Sequence, residues 1–154
     1  MKKQQKGFSL IELLIVVAII LIIAAIAIPN LLRSKMAANE ASAVAALRTI
    51  NTASVAFSTT YGTYPANLTN LQPAATPTST AADLIDSVLS GGVKSGYTIV
   101  YTGTTAGAIT SGYTITAKPI TQGVSGQRGF FTDMSGVIRA DPAGSATSAS
   151  TPLG

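Results

Sequence analysis

Cysteine and histidine are both absent from these 154 residues. Their absence removes thiol nucleophiles, disulfides, the usual zinc ligands and the usual general base at neutral pH, and most enzyme chemistry with them. No enzyme activity, cofactor or metal ligand is therefore expected. A domain of roughly a hundred residues is stabilised by core burial alone and needs no covalent staple. Charge is scarce as well, with Asp, Glu, Lys and Arg at 10% of the chain. Ala, Thr, Ser and Gly dominate beyond the first quarter, as in an extracytoplasmic domain with a neutral surface. The net charge of +4 is unevenly placed: Lys2, Lys3 and Lys6 supply three of the ten basic residues, leaving seven against six acidic residues from residue 8 onward. The basic balance belongs to the N-terminus and not to a binding face, so no nucleic-acid partner is expected.

What the chain does contain is a long apolar run. Residues 1–7, Met-Lys-Lys-Gln-Gln-Lys-Gly, are short and cationic and are expected to stay cytoplasmic by the positive-inside rule. From Phe8 to Ile28 every residue is apolar except Ser9 and Glu12, giving 21 residues. At about 1.5 Å per residue that run spans a hydrocarbon core of roughly 30 Å, which predicts a transmembrane helix. Beyond Pro29 the pattern becomes amphipathic, with Val44, Leu47, Ile50, Phe57, Tyr61 and Tyr64 at helical spacings, so the helix is expected to continue to about Thr60. Tyr61-Gly62-Thr63-Tyr64-Pro65 stops it, because Gly accepts a left-handed cap and Pro cannot extend the ladder.

Asn67 to Thr80 reads as a linker, followed by a helical turn over Asp83 to Leu89 that Gly91-Gly92 closes. After Gly96 the period changes to two. Tyr97, Ile99 and Tyr101 and then Tyr113, Ile115 and Ala117 predict a hairpin turning at Thr104 to Gly107. A second hairpin is expected from Arg128–Thr132 through Asp133-Met134-Ser135-Gly136 to Val137–Arg139. The fold class is α+β: a long N-terminal helix, membrane-spanning in its first half and amphipathic in its second, packed on a roughly four-stranded antiparallel sheet. The expected organisation is a cleaved leader at 1–7, a transmembrane and assembly helix at 8–28, an amphipathic helix at 29–60, a globular part at 61–140 and a flexible tail at 141–154.

Glu12 carries the chemistry. An acidic residue inside a membrane segment costs about 2.5–3.5 kcal/mol near the helix centre and less toward an end. No Lys or Arg lies three or four positions away, so its ion-pair partner is expected from outside the segment. Cleavage after Gly7 supplies one, the new amine of Phe8, which in an axially staggered neighbouring subunit meets Glu12 and sets the register. The alternative is that Glu12 snorkels or carries a proton near the interface.

Lys6-Gly7-Phe8-Ser9-Leu10-Ile11-Glu12-Leu13-Leu14, continuing through Ile15–Ile20 to Ala27-Ile28-Pro29, resembles the processing site and membrane helix of type IV prepilins and of the pseudopilins of type II secretion systems. The resemblance covers roughly the first 35 residues. Weaker likeness follows at Tyr61–Pro65 and at Phe130–Arg139. It implies that a membrane prepilin peptidase removes the leader and methylates the new amine, making Gly7 and Phe8 the processing residues, Phe8 the methylation site, and Phe8 with Glu12 the assembly pair. The implied partners are identical or related subunits, the prepilin peptidase and methyltransferase, an inner-membrane assembly platform with its ATPase, and the lipid bilayer before assembly. The implied product is a structural filament subunit: a single-pass inner-membrane precursor with a cytoplasmic N-terminus, then an extracellular or periplasmic filament. Two departures stand out. The chain cannot close a C-terminal loop by a disulfide, and Leu21 stands where many pilins have Gly, leaving Pro29 as the one clear site for a kink in the helix.

Competing readings are an ordinary signal peptide, with Leu13–Ala24 as its apolar region and Ala25-Ile26-Ala27 as its cleavage site, and a secretion pseudopilin in place of a pilus subunit. Asp133 with Ser135 and Gly136 reads as a hairpin turn before a calcium loop, and Asp83 and Asp86 as exposed helix charges before an acid–base pair. The aromatic residues read as core and sheet residues before a conducting stripe. Asn67-Leu68-Thr69 fits a glycosylation sequon.

Overall fold

A computed structural model of the chain describes residues 7–153. The expected leader, with Lys2, Lys3 and Lys6, lies outside the described residues except for Gly7, as does Gly154. The chain divides into two compact units after Ser34. One helix, α1 (Leu10–Tyr61), contributes to both and is helical throughout, Pro29 included. Its first stretch is long and apolar enough to cross a membrane and has none of that stretch buried. Phe8, Leu10, Ile11, Leu21 and Ile26 are each at least 62% exposed, which suits side chains whose solvent is lipid. At the other end Gly62, at φ +73°, donates to the Ser58 carbonyl at 2.9 Å, the left-handed cap its lack of a Cβ permits.

In the second unit, α1 covers a six-stranded antiparallel meander in sequential order: β1 (Val93–Lys94), β2 (Tyr97–Ala106), β3 (Ile109–Pro119), β4 (Gly129–Asp133), β5 (Arg139–Asp141) and β6 (Thr151–Pro152). The helix stripe reaches the core through Leu47, Ile50 and Phe57, as the spacing requires. Val44, Tyr61 and Tyr64 lie at its margin, partly buried. The positions between are filled by Ala43, Ala46, Ala53 and Ser54, whose small side chains let the helix backbone approach the sheet. From below, Tyr97, Ile99 and Tyr101 of β2, Tyr113, Ile115 and Ala117 of β3 and Phe130 of β4 point inward, the alternation read from their period of two. Tyr113 stacks on Tyr101 at 5.2 Å between centroids.

The structure corrects several boundaries. The sheet has six strands, not four, because β1 and β6 are two residues long and too short to show a period. The first hairpin turns later than expected, at Gly107-Ala108, with Ala106 opposite Ile109. The stretch read as a linker holds a 3-10 turn, Leu68–Leu71, that buries both leucines; Asn67 caps it and Asn70 returns the bond. Asn67 therefore serves as a cap acceptor. The next helix, α2, is only Ser87–Ser90, and its cap is Asp86, which accepts from the Leu89 N–H at 2.7 Å and pairs with Lys94 at 3.2 Å. Asp83, expected early in that helix, sits before it at φ +54°.

The largest correction concerns residues 141–154, expected as a flexible tail. Asp141 ends β5, Thr151–Pro152 forms β6, Ala146 is buried, and Leu153 packs against the core while its N–H bonds to the Ile138 carbonyl at 2.8 Å. Arg139 donates to the Ser150 carbonyl, and Gln122 and Gln127 both donate to that of Pro142. Backbone bonding holds a segment whose apolar content predicts none. Its closest approach is at Gly129, where a Cβ would overlap the Gly144 backbone.

Two substitutions test this packing. Leu47→Asp buries an unpaired carboxylate and is expected to abolish the cooperative melt of the second unit, read from tyrosine near-ultraviolet circular dichroism of the full chain in micelles. Gly129→Ala is expected to destabilise by about 1–3 kcal/mol through overpacking; an unchanged denaturation midpoint would show that the C-terminal segment is not seated there.

Candidate functional site

The residues singled out at the N-terminus are local in sequence, and the described structure places them at the start of α1. The first helical bond runs from the Leu13 N–H to the Ser9 carbonyl at 3.2 Å, so the helix begins directly after Phe8 and Ser9. Phe8 is 89% exposed, and among the described residues beyond its chain neighbours none places an atom within 4 Å of where a Cβ on Gly7 would stand. The junction is two residues from the first helical turn.

Glu12 has a local hydrogen-bond donor, a neutral amide and not a charged side chain. Its carboxylate Oε2 accepts a hydrogen bond from the Ser9 backbone N–H at 2.8 Å. The bond is the return half of a capping box, for which Ser9-Leu10-Ile11-Glu12 is the sequence signature, and it satisfies one of the amide donors that a helix start leaves open. A carboxylate in the first turn also sits favourably against the helix dipole.

A second acidic residue escaped sequence reading altogether. Glu40 is only 8% exposed, among the apolar positions of α1, and it fastens the chain between β3 and β4. One carboxylate oxygen, Oε1, accepts from the N–H groups of Gln127 and Arg128 at 2.9 and 3.0 Å, and Oε2 accepts from Arg128 Nε at 2.8 Å. The Arg128 guanidinium lies over the Phe130 ring, and its carbonyl accepts from the Tyr97 hydroxyl at 2.8 Å. Neighbouring Asn39 donates to the Ser125 carbonyl at 2.7 Å. Burial pushes the Glu40 carboxyl up, but the amides of Arg128 and Gln127 with the Arg128 guanidinium outweigh it and hold the group below its ordinary range. Burial and the nearby Glu40 charge push the Tyr97 phenol up to about 12, keeping it a donor. The one signal available was an acidic residue one turn before a buried stripe; its partner 88 residues away gave none.

The remaining acidic residues read blandly. Asp133 Oδ1 accepts from the Ser135 N–H at 2.9 Å, closing a turn with Gly136 at φ +73°. Among the described residues no cluster of three or more His, Cys, Asp and Glu side chains is placed to hold a metal ion.

Comparison with known proteins bears on the first of these regions. A family model described as the prokaryotic N-terminal methylation motif matches residues 2–28. The N-terminal stretch is 60% identical over 38 residues to the type IV wide pilus major component PilA4 of Thermus thermophilus. That alignment covers 25% of this chain and 29% of the relative, so the likeness is one of N-terminal segments. No solved structure gives a significant match.

The Glu40 clamp makes a prediction with a defined sign. Its carboxyl titrates lower folded than unfolded, so its stabilisation is complete above the ordinary value of 4.5 and is lost as pH falls through the lowered one. Glu40→Ala orphans two amides and is expected to cost about 2–4 kcal/mol at pH 7. Glu40→Gln is expected to cost less at pH 7 and to flatten the acid limb of denaturation midpoint against pH, leaving a slope from Asp86 and Asp133. Capping and turn bonds, from the Leu89 amide and from Ser135 respectively, hold those two carboxyls low. An acid limb as steep in Glu40→Gln as in the wild type would remove Glu40 from this role.

Proposed function

We propose that this chain is a structural subunit of a type IV pilus-like filament, made as a membrane-anchored precursor, cut between Gly7 and Phe8, methylated on the Phe8 amine and polymerised through α1. The observation that carries the reading is the conjunction at residues 2–28: an N-terminal methylation motif that runs into a helix apolar enough to span a bilayer, with Glu12 in its first turn. The relative matched over this stretch is itself the major component of a pilus. A prepilin peptidase and an assembly platform with its ATPase are the partners that such a precursor requires, and the bilayer is its first solvent. Pro29 is the position at which α1 kinks or melts on assembly, since a proline inside a helix removes one backbone bond and crowds the carbonyl four residues back.

In the filament, the Glu12 carboxylate pairs with the Phe8 amine of a neighbouring subunit. Apolar helices pack against one another with little axial preference, whereas a partly desolvated ion pair depends steeply on geometry and fixes the stagger. The pilus reading is preferred to a secretion pseudopilus because of the pilus component matched at the N-terminus and the Ser- and Thr-rich surface at 145–151, where Ser145, Thr147, Ser148 and Thr151 are exposed.

Filaments sheared from cells and analysed by intact mass provide the test. The expected major band is a chain beginning at Phe8 and carrying one methyl group. A mature N-terminus at Ile28 would establish an ordinary signal peptide, and a processed chain absent from sheared filaments would favour the pseudopilin. Glu12→Ala is expected to insert at wild-type level or better and to lower filament yield by about tenfold or more. Wild-type yield from that variant would eliminate the intersubunit pair.

A further inference from the structure

We infer that in the unassembled, processed subunit Glu12 holds the Phe8 amine of its own chain, so that filament growth exchanges an internal pair for an external one. The inference rests on the cleavage proposed above but concerns a different state, the isolated chain in the membrane. It is carried by the geometry at the start of α1. Glu12 Oε2 already sits 2.8 Å from the backbone nitrogen of Ser9. Ser9 directly follows Phe8, and backbone nitrogens of adjacent residues are separated by roughly 3–4 Å through covalent geometry alone. Cleavage after Gly7 converts the Phe8 nitrogen from a neutral amide to a cationic amine. The new charge is therefore created within about 7 Å of a carboxylate that the capping bond has already aimed at this end of the helix, a gap that rotation about the freed Phe8 backbone closes. Methylation leaves the nitrogen cationic and with protons to donate.

The consequence is that neither state leaves a bare charge at the membrane boundary. A lone subunit satisfies Glu12 with the Ser9 amide and its own amine, and an assembled one satisfies it with a neighbour's amine. Ser9 acts here as a positioning residue through its backbone N–H.

Zero-length coupling separates the internal pair from the external one. The processed full-length chain, purified in micelles and shown by light scattering to be monomeric, is treated with a membrane-permeant carbodiimide. The reagent activates the Glu12 carboxylate; the amine attacks the acyl carbon, the urea leaves, and the product is an amide with net loss of one water. An internal pair gives a monomer lighter by one water, with the link mapped by fragmentation between Phe8 and Glu12. The exposed Lys94–Asp86 pair, 3.2 Å apart, reports in the same sample that coupling has occurred. Glu12→Gln is expected to lose the first link and keep the second. Coupling at Lys94–Asp86 with none at Phe8–Glu12, or with Phe8–Glu12 links only between chains, would overturn the internal pair and leave the filament reading standing. A purified chain that still carries its leader would overturn both.

Discussion

One helix carries two kinds of surface. Along its first stretch α1 is long and apolar enough to cross a membrane, and along its last it offers a sheet a stripe of Leu47, Ile50 and Phe57 with alanines between them. Only a helix serves both purposes without a break, because it bonds its own amides and carbonyls and asks nothing of either environment. Everything else in the chain is placed relative to that demand. The acidic residues are admitted only where backbone donors await them, at the first turn and at the start of the buried stripe.

Glu12 and Glu40 show the same physics at two depths. Each is an acidic residue on an apolar stretch, and each accepts hydrogen bonds from backbone N–H groups, Ser9 in one case and Gln127 and Arg128 in the other. Amides are fixed donors that pay no side-chain entropy on pairing, which makes them cheaper partners than a mobile lysine. Glu40 thereby fastens the loop between β3 and β4 to α1, beside the point where Tyr97 takes the space a Gly126 side chain would need. Without a disulfide, the C-terminal segment is secured by the converse arrangement, side-chain donors on backbone acceptors: carbonyls of Ser150 and Pro142 taken by Arg139, Gln122 and Gln127, and one leucine in the core.

Where sequence reading succeeded, the signal was periodic or local. The run from Phe8 to Ile28, the stripe through Phe57, the stop at Gly62 and the alternating residues of β2 and β3 each repeat at a spacing that geometry dictates. It fell short where structure rests on few residues: β1 and β6 are too short to show a period, and the end of the chain folds back through carbonyls that every residue possesses. The bond between the Ser9 amide and Glu12 is local as well, and Ser9-Leu10-Ile11-Glu12 carries its signature, since a capping acceptor needs only a four-residue window.

The sequence by itself determined the α+β class, the membrane-spanning potential of α1, the core residues of the central strands and the placing of Gly7, Phe8 and Glu12 at one helix start, since all of these follow from local pattern. Tertiary structure alone decided that Glu40 is buried and clamped to Arg128, that Thr151–Pro152 completes a six-stranded sheet, and that Gly129 must lack a side chain. Each of those depends on groups brought together from 11 to 88 positions apart, and a contact between such distant residues leaves no spacing in the sequence from which it can be read.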